Sequence, residues 1–182
     1  MRASQISKFL SSSLKTLFFV FSFVGFVGAE DIFPRFASGL KISYSPPNAK
    51  VWKLLTSQEE DQRGLVLYNR ETLIDDNGVR AEPALSIVYK EAPTGIKNLF
   101  EFVAYSKATL SYKITNLSDL PNGVMVLSCI YQENGIDHSL TIGHLFEEGL
   151  GVQIICDTTV SLLKAVEEDQ RAFLRSVSLT KK

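Results

Sequence analysis

Two histidines, two cysteines and one tryptophan are all that 182 residues supply of the side chains that most often carry metal, thiol or stacking chemistry. No nucleophile elbow, phosphate-binding loop or zinc-protease motif occurs. No catalytic, cofactor-binding or metal-binding residue is therefore assigned, and the chain reads as a non-enzyme. Basic residues form no cluster, which disfavours nucleic acid and anionic lipid surfaces as partners, because both need a phosphate-neutralising patch. There is also no apolar run of membrane-spanning length. The longest, Leu17 to Val27, is short of the ~20 residues that a helix needs to cross a bilayer.

That short run has a different use. Arg2, Lys8 and Lys15 precede it and small residues follow it, the order of a secretory signal peptide. Val27 and Ala29 suit the two positions that a signal peptidase reads, so residues 1–29 are expected to be removed by a cut between Ala29 and Glu30. No cysteine lies at the cut, which argues against a lipid-modified bacterial lipoprotein. The mature chain would carry 16 Lys and Arg against 20 Asp and Glu, a net charge near −4, in about 150 residues. That length is enough for one domain to bury its own core.

Residues 30–39 show little periodicity and read as a loosely structured amino-terminal segment. Residues 40–182 contain no repeat, linker or low-complexity run and read as one domain. "LKISYSPP" is a short strand stopped by Pro46 and Pro47, which cannot continue a ladder. Trp52 in "KVWKLL" is expected to anchor the core. "GLVLYNR" and "ALSIVYKEA" have the length and composition of strands. The polar turn between them holds Asp75, Asp76, Asn77 and Gly78, without the alternating oxygen ligands and distal Glu of a calcium loop. In "GIKNLFEFVAYSKATL" an apolar stripe of Ile96, Leu99, Phe100 and Val103 predicts an amphipathic helix. A last helix is expected to begin at Asp157 to Thr159, whose oxygens can cap it. It buries Leu162, Leu163, Val166, Phe173 and Leu174, with Glu167 and Arg171 paired outside.

Both histidines lie in "YQENGIDHSLTIGHLFEEGLGVQIICD". Asn134-Gly135 between apolar runs predicts a two-residue hairpin turn, since both turn positions need positive φ. Counting outward pairs Glu133 with Ile136, Tyr131 with His138, Cys129 with Leu140, Leu127 with Ile142 and Met125 with His144. A three-residue loop at Glu147, Glu148 and Gly149 would then set Phe146 against Leu150, His144 beside Val152, Ile142 beside Ile154 and Leu140 beside Cys156. In this register the histidines share a face but stand roughly 20 Å apart, too far to share a metal. Cys129 and Cys156 flank Leu140 at ~9.5 Å, beyond the ~7 Å that a disulfide tolerates, so both are expected to be free, buried thiols.

Four stretches, "ISYSPPNAKVWKLL", "EAPTGIKNLFEFV", "LPNGVMVLSCIY" and "GVQIICDTTVSLLKAVEEDQRAFLRSVSL", resemble the PsbP/Mog family over about residues 40 to 180. The resemblance implies an α+β fold, an antiparallel β-sheet with flanking helices in an α/β/α sandwich. It also implies mostly non-enzymatic roles: accessory subunits of photosystem II in thylakoid lumens, small exported bacterial proteins and a nuclear Ran-binding protein. The export signal removes the nuclear branch. The missing transit region weakens the photosynthetic one, and the exported bacterial PsbP-like or DcrB-like branch remains.

The resulting expectation is a periplasmic or secreted binding or accessory protein of an envelope or lumenal assembly, with a protein partner, no cofactor and no membrane span after cleavage. The alternatives are a small-ligand or metal-ion carrier using loops such as Asp75 to Gly78, and a hydrolase with an unrecognised site. Asn116 in "NLS" is a glycosylation acceptor only in a host that glycosylates its secretory path.

Overall fold

The computed structural model describes residues 39–60, 63–110 and 112–181. The expected signal peptide, its cut between Ala29 and Glu30, and residues 30–38 of the amino-terminal segment lie outside that range. In chain order the elements are β1 (Leu40–Ser43), β2 (Trp52–Glu60), β3 (Arg63–Arg70), a small hairpin of β4 (Leu73–Ile74) and β5 (Arg80–Ala81), and β6 (Ala84–Glu91). Helix α1 (Leu99–Thr109), β7 (Lys113–Asp119), β8 (Met125–Glu133), β9 (Ile136–Glu147) and β10 (Leu150–Thr159) follow. A 3-10 turn then leads into helix α2 (Leu163–Ser176), and the described chain ends in β11 (Ser178–Lys181).

Seven strands form one antiparallel sheet in the order β2-β3-β6-β10-β9-β8-β7, while β1 pairs with β11 in a separate ribbon. Alternation sorts the side chains onto two faces. Val66, Tyr68, Leu85, Ile87, Tyr89, Val152, Ile154 and Cys156 form the larger core with Leu40 and Ile42 of β1 and Phe173 and Leu174 of α2. The opposite face carries Cys129, Tyr131, Leu140, Ile142 and Ile155. Each fully buried aliphatic here contributes ~1.5–3 kcal/mol from the area it removes from water.

The expected α/β/α sandwich is not what forms; the described chain is mostly β-sheet. Seven strands at ~4.8 Å spacing span about 29 Å, whereas a helix with its side chains is about 10 Å wide. One helix of 11 residues on one face and one of 14 on the other cannot make two helical layers. Chain economy explains this, because most of the sequence after the first helix alternates with a period of two and goes into strands.

Helix α2 has the expected amphipathic line. Val166, Gln170, Phe173 and Leu174 are buried, and Arg171 pairs with Glu167 one turn before it. Its close approach to the sheet needs Gly143, where a Cβ would lie 2.7 Å from Leu174 Cδ2 and 2.8 Å from Val124 Cγ1. Asn122 closes its carboxyl end by donating Nδ2 to the carbonyls of Leu174, Arg175 and Val177 at 3.0–3.1 Å. Such side-chain capping satisfies carbonyls that the last turn leaves without partners. In the first half of α2, Trp52 Nε1 donates to Asp169 Oδ2 at 2.9 Å, and Arg70 Nη1 reaches the same oxygen at 3.0 Å and Ala165 O at 3.1 Å. Trp52 thus ties α2 to the β2–β3 edge as well as filling core.

Two local expectations are corrected here. Asp157 to Thr159 do not cap a helix; β10 continues through Thr159, and Thr159 makes no side-chain cap bond. Strand pairing with β9 through Thr159, and with β6 as far as Asp157, supplies backbone partners there instead. On α1 the inward residues are Phe102, Val103 and Ser106, and Phe100 is 72 % exposed. Both sides of this helix are apolar, so periodicity alone could not choose between them. At the helix start Asn98 Oδ1 accepts from Glu101 N at 2.9 Å, a side-chain N-cap, and Glu101 Oε2 accepts from Lys97 N, the residue before the cap, at 2.7 Å.

Candidate functional site

The first hairpin has the expected register from Glu133–Ile136 to Met125–His144. Its turn has φ of 51° at Asn134 and 79° at Gly135, the geometry of a type I′ turn. The second hairpin differs by one residue. Its turn is two residues long, Glu148 and Gly149, with φ of 46° and 84°. Glu147 faces Leu150, His144 faces Gln153, Ile142 faces Ile155 and Leu140 faces Asp157. A left-handed glutamate is uncommon, and it is not signalled by the local sequence. Lys181 at the end of β11 forms an ion pair with Glu148, a contact from 33 residues away that marks where the turn sits.

That one-residue shift exchanges the faces of every β10 side chain. Cys156 moves to the α2 core while Cys129 stays on the α1 face. Both cysteines are free and buried; they are two strands apart as expected, on β8 and β10, but on opposite faces of the sheet, with Thr141 rather than Leu140 beside Cys156. Burial, and then the nearby Asp157 carboxylate, push the Cys129 thiol up to about 11, and the same causes raise Cys156. Neither is a thiolate near neutral pH.

The shift also builds two polar clusters around the two histidines on the α1 face. His144 is fully buried, and its Nδ1 lies 3.2 Å from Met125 O. A carbonyl only accepts, so Nδ1 carries the hydrogen and Nε2 is the acceptor. Ser106 Oγ donates to Nε2 at 2.9 Å and itself accepts from Gln153 Nε2 at 2.9 Å. Phe102 lies edge-on to the imidazole at 5.7 Å and over Gly151, where a Cβ would come within 2.5 Å of the ring. Burial lowers the His144 pKa to about 4. The hydroxyl and imidazole have the contact of a nucleophile and its base, but Ser106 is 3 % exposed beneath α1. The cluster acts as a polar clamp between helix and sheet.

The second cluster is at the far end of β9 and is half open. Asp157 Oδ2 accepts from Tyr131 Oη at 2.7 Å, and Asp157 Oδ1 lies 3.3 Å from His138 Nδ1. Tyr131 stacks on His138 at 4.8 Å and on Tyr112 at 4.9 Å, forming a row of three rings. With Nδ1 donating to the carboxylate, Nε2 of His138 is the acceptor nitrogen, and the side chain is 17 % exposed. A carboxylate-held imidazole offers a directed hydrogen-bond acceptor, proton acceptor or single metal ligand. Among the described residues no group of three or more His, Cys, Asp or Glu could hold a metal ion.

The sequence reading placed Tyr131 opposite His138 but missed Asp157, which it assigned to a helix cap, and Ser106 and Gln153, which it did not single out. A two-residue second turn would have put Asp157 diagonal to His138 and Gln153 beside His144. No comparable signal in the sequence points to Ser106. The Asp75 loop is a closed turn. Asp75 Oδ1 accepts from Asn77 N at 2.9 Å and Val79 N at 2.8 Å. The Ser161 hydroxyl, followed by these amides, holds its pKa below the usual carboxylate range.

No family model matches the chain, so the PsbP/Mog resemblance gains no support from one, and no curated protein matches it. Among solved structures, the chain is similar to LpqN of Mycobacterium tuberculosis, described as involved in cell envelope biogenesis. The TM-score is 0.52 at 14 % identity, over 79 % of this chain and 86 % of that one. At that identity the likeness concerns the fold.

Proposed function

We propose that the chain is an exported, non-enzymatic binding or accessory protein that serves a cell-envelope assembly through a protein partner. The observation that carries this reading is the fold shared with LpqN, a protein of cell envelope biogenesis, over most of both chains. Export is supported by the basic-then-apolar order of residues 1–29. No helix among the described residues is long and apolar enough to cross a membrane. A binding role is favoured over turnover by what the polar groups do: Ser106 and His144 are sealed under α1, and Cys129 is held protonated. The same chain presents Phe100 and Tyr105 outward on α1. Large aromatics at a surface are the residues that most often anchor protein partners.

The test is performed on the full chain, tagged at its carboxyl end, in its native host. The expected result is a mature amino terminus at Glu30, recovery with the envelope fraction, and photo-crosslinking from position 100 to one envelope protein, absent from the exposed position 50. Recovery of the uncut chain in the cytosol, or equal crosslinking from both positions, would overturn the reading.

A further inference from the structure

The two helices are held to the sheet differently. Helix α2 is tied along its length, by Trp52 and Arg70 to Asp169 and by Asn122 to its last carbonyls. Helix α1 buries only Phe102, Val103 and Ser106. Among the described residues, the hydrogen bonds from α1 side chains to the sheet all run through the Ser106 hydroxyl, which donates to His144 Nε2 and accepts from Gln153 Nε2. An element with so few buried contacts opens at lower cost than the rest of a fold.

The tie depends on a neutral imidazole. Asp119, Met125, His144, Gln153 and Val88 form one cross-strand row, and directly opposed side chains share a face. From β8 the ring meets Met125 O, from β10 it meets Gln153, and from α1 it meets Ser106 and the Phe102 ring. None of these groups is an anion. The charged residues that β6 and β7 place on this face are Lys90, opposite Gly151 and itself a cation, and Asp119, exposed beyond Met125 on the edge strand. Glu101 and Lys107 of α1 are exposed. A proton added at Nε2 therefore creates a buried charge among neutral dipoles, which is costly. That cost is relieved once water reaches the ring, and α1 is what keeps water out, with Phe102 close over Gly151.

We propose that α1 is an acid-released cover: protonation of His144 breaks the Ser106 tie, and α1 lifts from the sheet while the sheet and α2 stay folded. Burial holds His144 neutral down to about pH 4 in the closed chain, whereas an opened ring titrates near 6.5. The open state therefore binds the extra proton between those values, and opening grows as pH falls, about twentyfold from pH 7 to pH 5. Lifting α1 also displaces Phe100 and Tyr105, the outward aromatics of the same helix, so acid would loosen the partner surface. That consequence rests on the protein-partner reading; the release itself does not.

Native-state hydrogen exchange of the full-length mature chain, corrected for intrinsic rates and followed at low urea at pH 7 and pH 5, tests the release. The amides of residues 102–109 are expected to lose protection about twentyfold at pH 5, through an opening that exposes little surface and so depends little on urea. Amides of β10 and α2 should stay better protected and keep the steep urea dependence of global unfolding. In His144→Gln, which offers a donor and an acceptor but takes no proton, α1 protection should be equal at the two pH values. On the unaltered chain, exchange of α1 and β10 in one step at pH 5, or an α1 opening that does not change with pH, overturns the proposal. So does an undiminished pH response in His144→Gln. Crosslinking from position 100 at pH 7 is read separately, so the partner reading can fail while the release stands, and the reverse.

Discussion

His138 and His144 occupy one face of β9, six residues apart, and have opposite fates. His144 gives one nitrogen to a backbone carbonyl and the other to Ser106, and α1 seals it. His138 is held by Asp157 and stacked on Tyr131, with its side chain partly exposed. The histidine type therefore says little about role. What separates them is which element lies above: α1 packs on β8 and β9 at the His144 end.

Substitution is the strongest way to break this contrast. His144→Ala should cost about 3 kcal/mol in urea unfolding, from a core cavity plus a stranded Ser106 hydroxyl and Gln153 amide. His138→Ala should cost under about 1 kcal/mol, and equal losses would mean the two sites are not sealed and open. The pH dependence sharpens the same point. His144 in the folded chain titrates at about 4 against 6.5 when unfolded, so between those values the unfolded state binds the extra proton. Stability should fall as pH drops from about 6.5 toward 4, by about 3 kcal/mol in total from this group. A His144→Gln chain should lose that part of the slope, and an unchanged slope would assign it elsewhere.

Smaller effects test the neighbours of each histidine. Gly151→Ala should destabilise by ~1–3 kcal/mol, because the new methyl meets the Phe102 ring that covers His144. Tyr131→Phe, which removes one hydrogen bond to Asp157, should cost only about 1 kcal/mol. Diethyl pyrocarbonate should modify His138 in the native chain and reach His144 only on unfolding. Simultaneous modification of both would contradict the difference in access.

The legible and illegible parts of this fold divide along the same strand. The first hairpin could be counted because Asn134 and Gly135 both accept positive φ, leaving one turn type to match the alternation. The second could not, because Glu148 adopts a left-handed backbone that its own neighbours in sequence do not request, and Lys181 holds it from β11. The error was one residue, but in a strand one residue is a whole face. It hid Asp157 from His138, Gln153 from His144, and the placing of Cys129 and Cys156 on opposite faces of the sheet. The inward line of α1 was lost for a related reason: Phe100 is the more apolar choice, yet Ser106 turns in, where it bonds the buried His144 and the part-buried Gln153.

By itself the sequence determined the strand-rich alternation, the Asn134-Gly135 turn, the amphipathic line of α2 and the apolar character of the sheet interior. These depend on repeat periods and on backbone preferences that act over a few residues. Only the tertiary structure decided the two-residue second turn, the mostly β architecture, which face of α1 is buried and which histidine is left open. Those outcomes turn on pairings between residues tens of positions apart. Their free energy arises only when desolvated donors and acceptors meet, and no local pattern records that meeting.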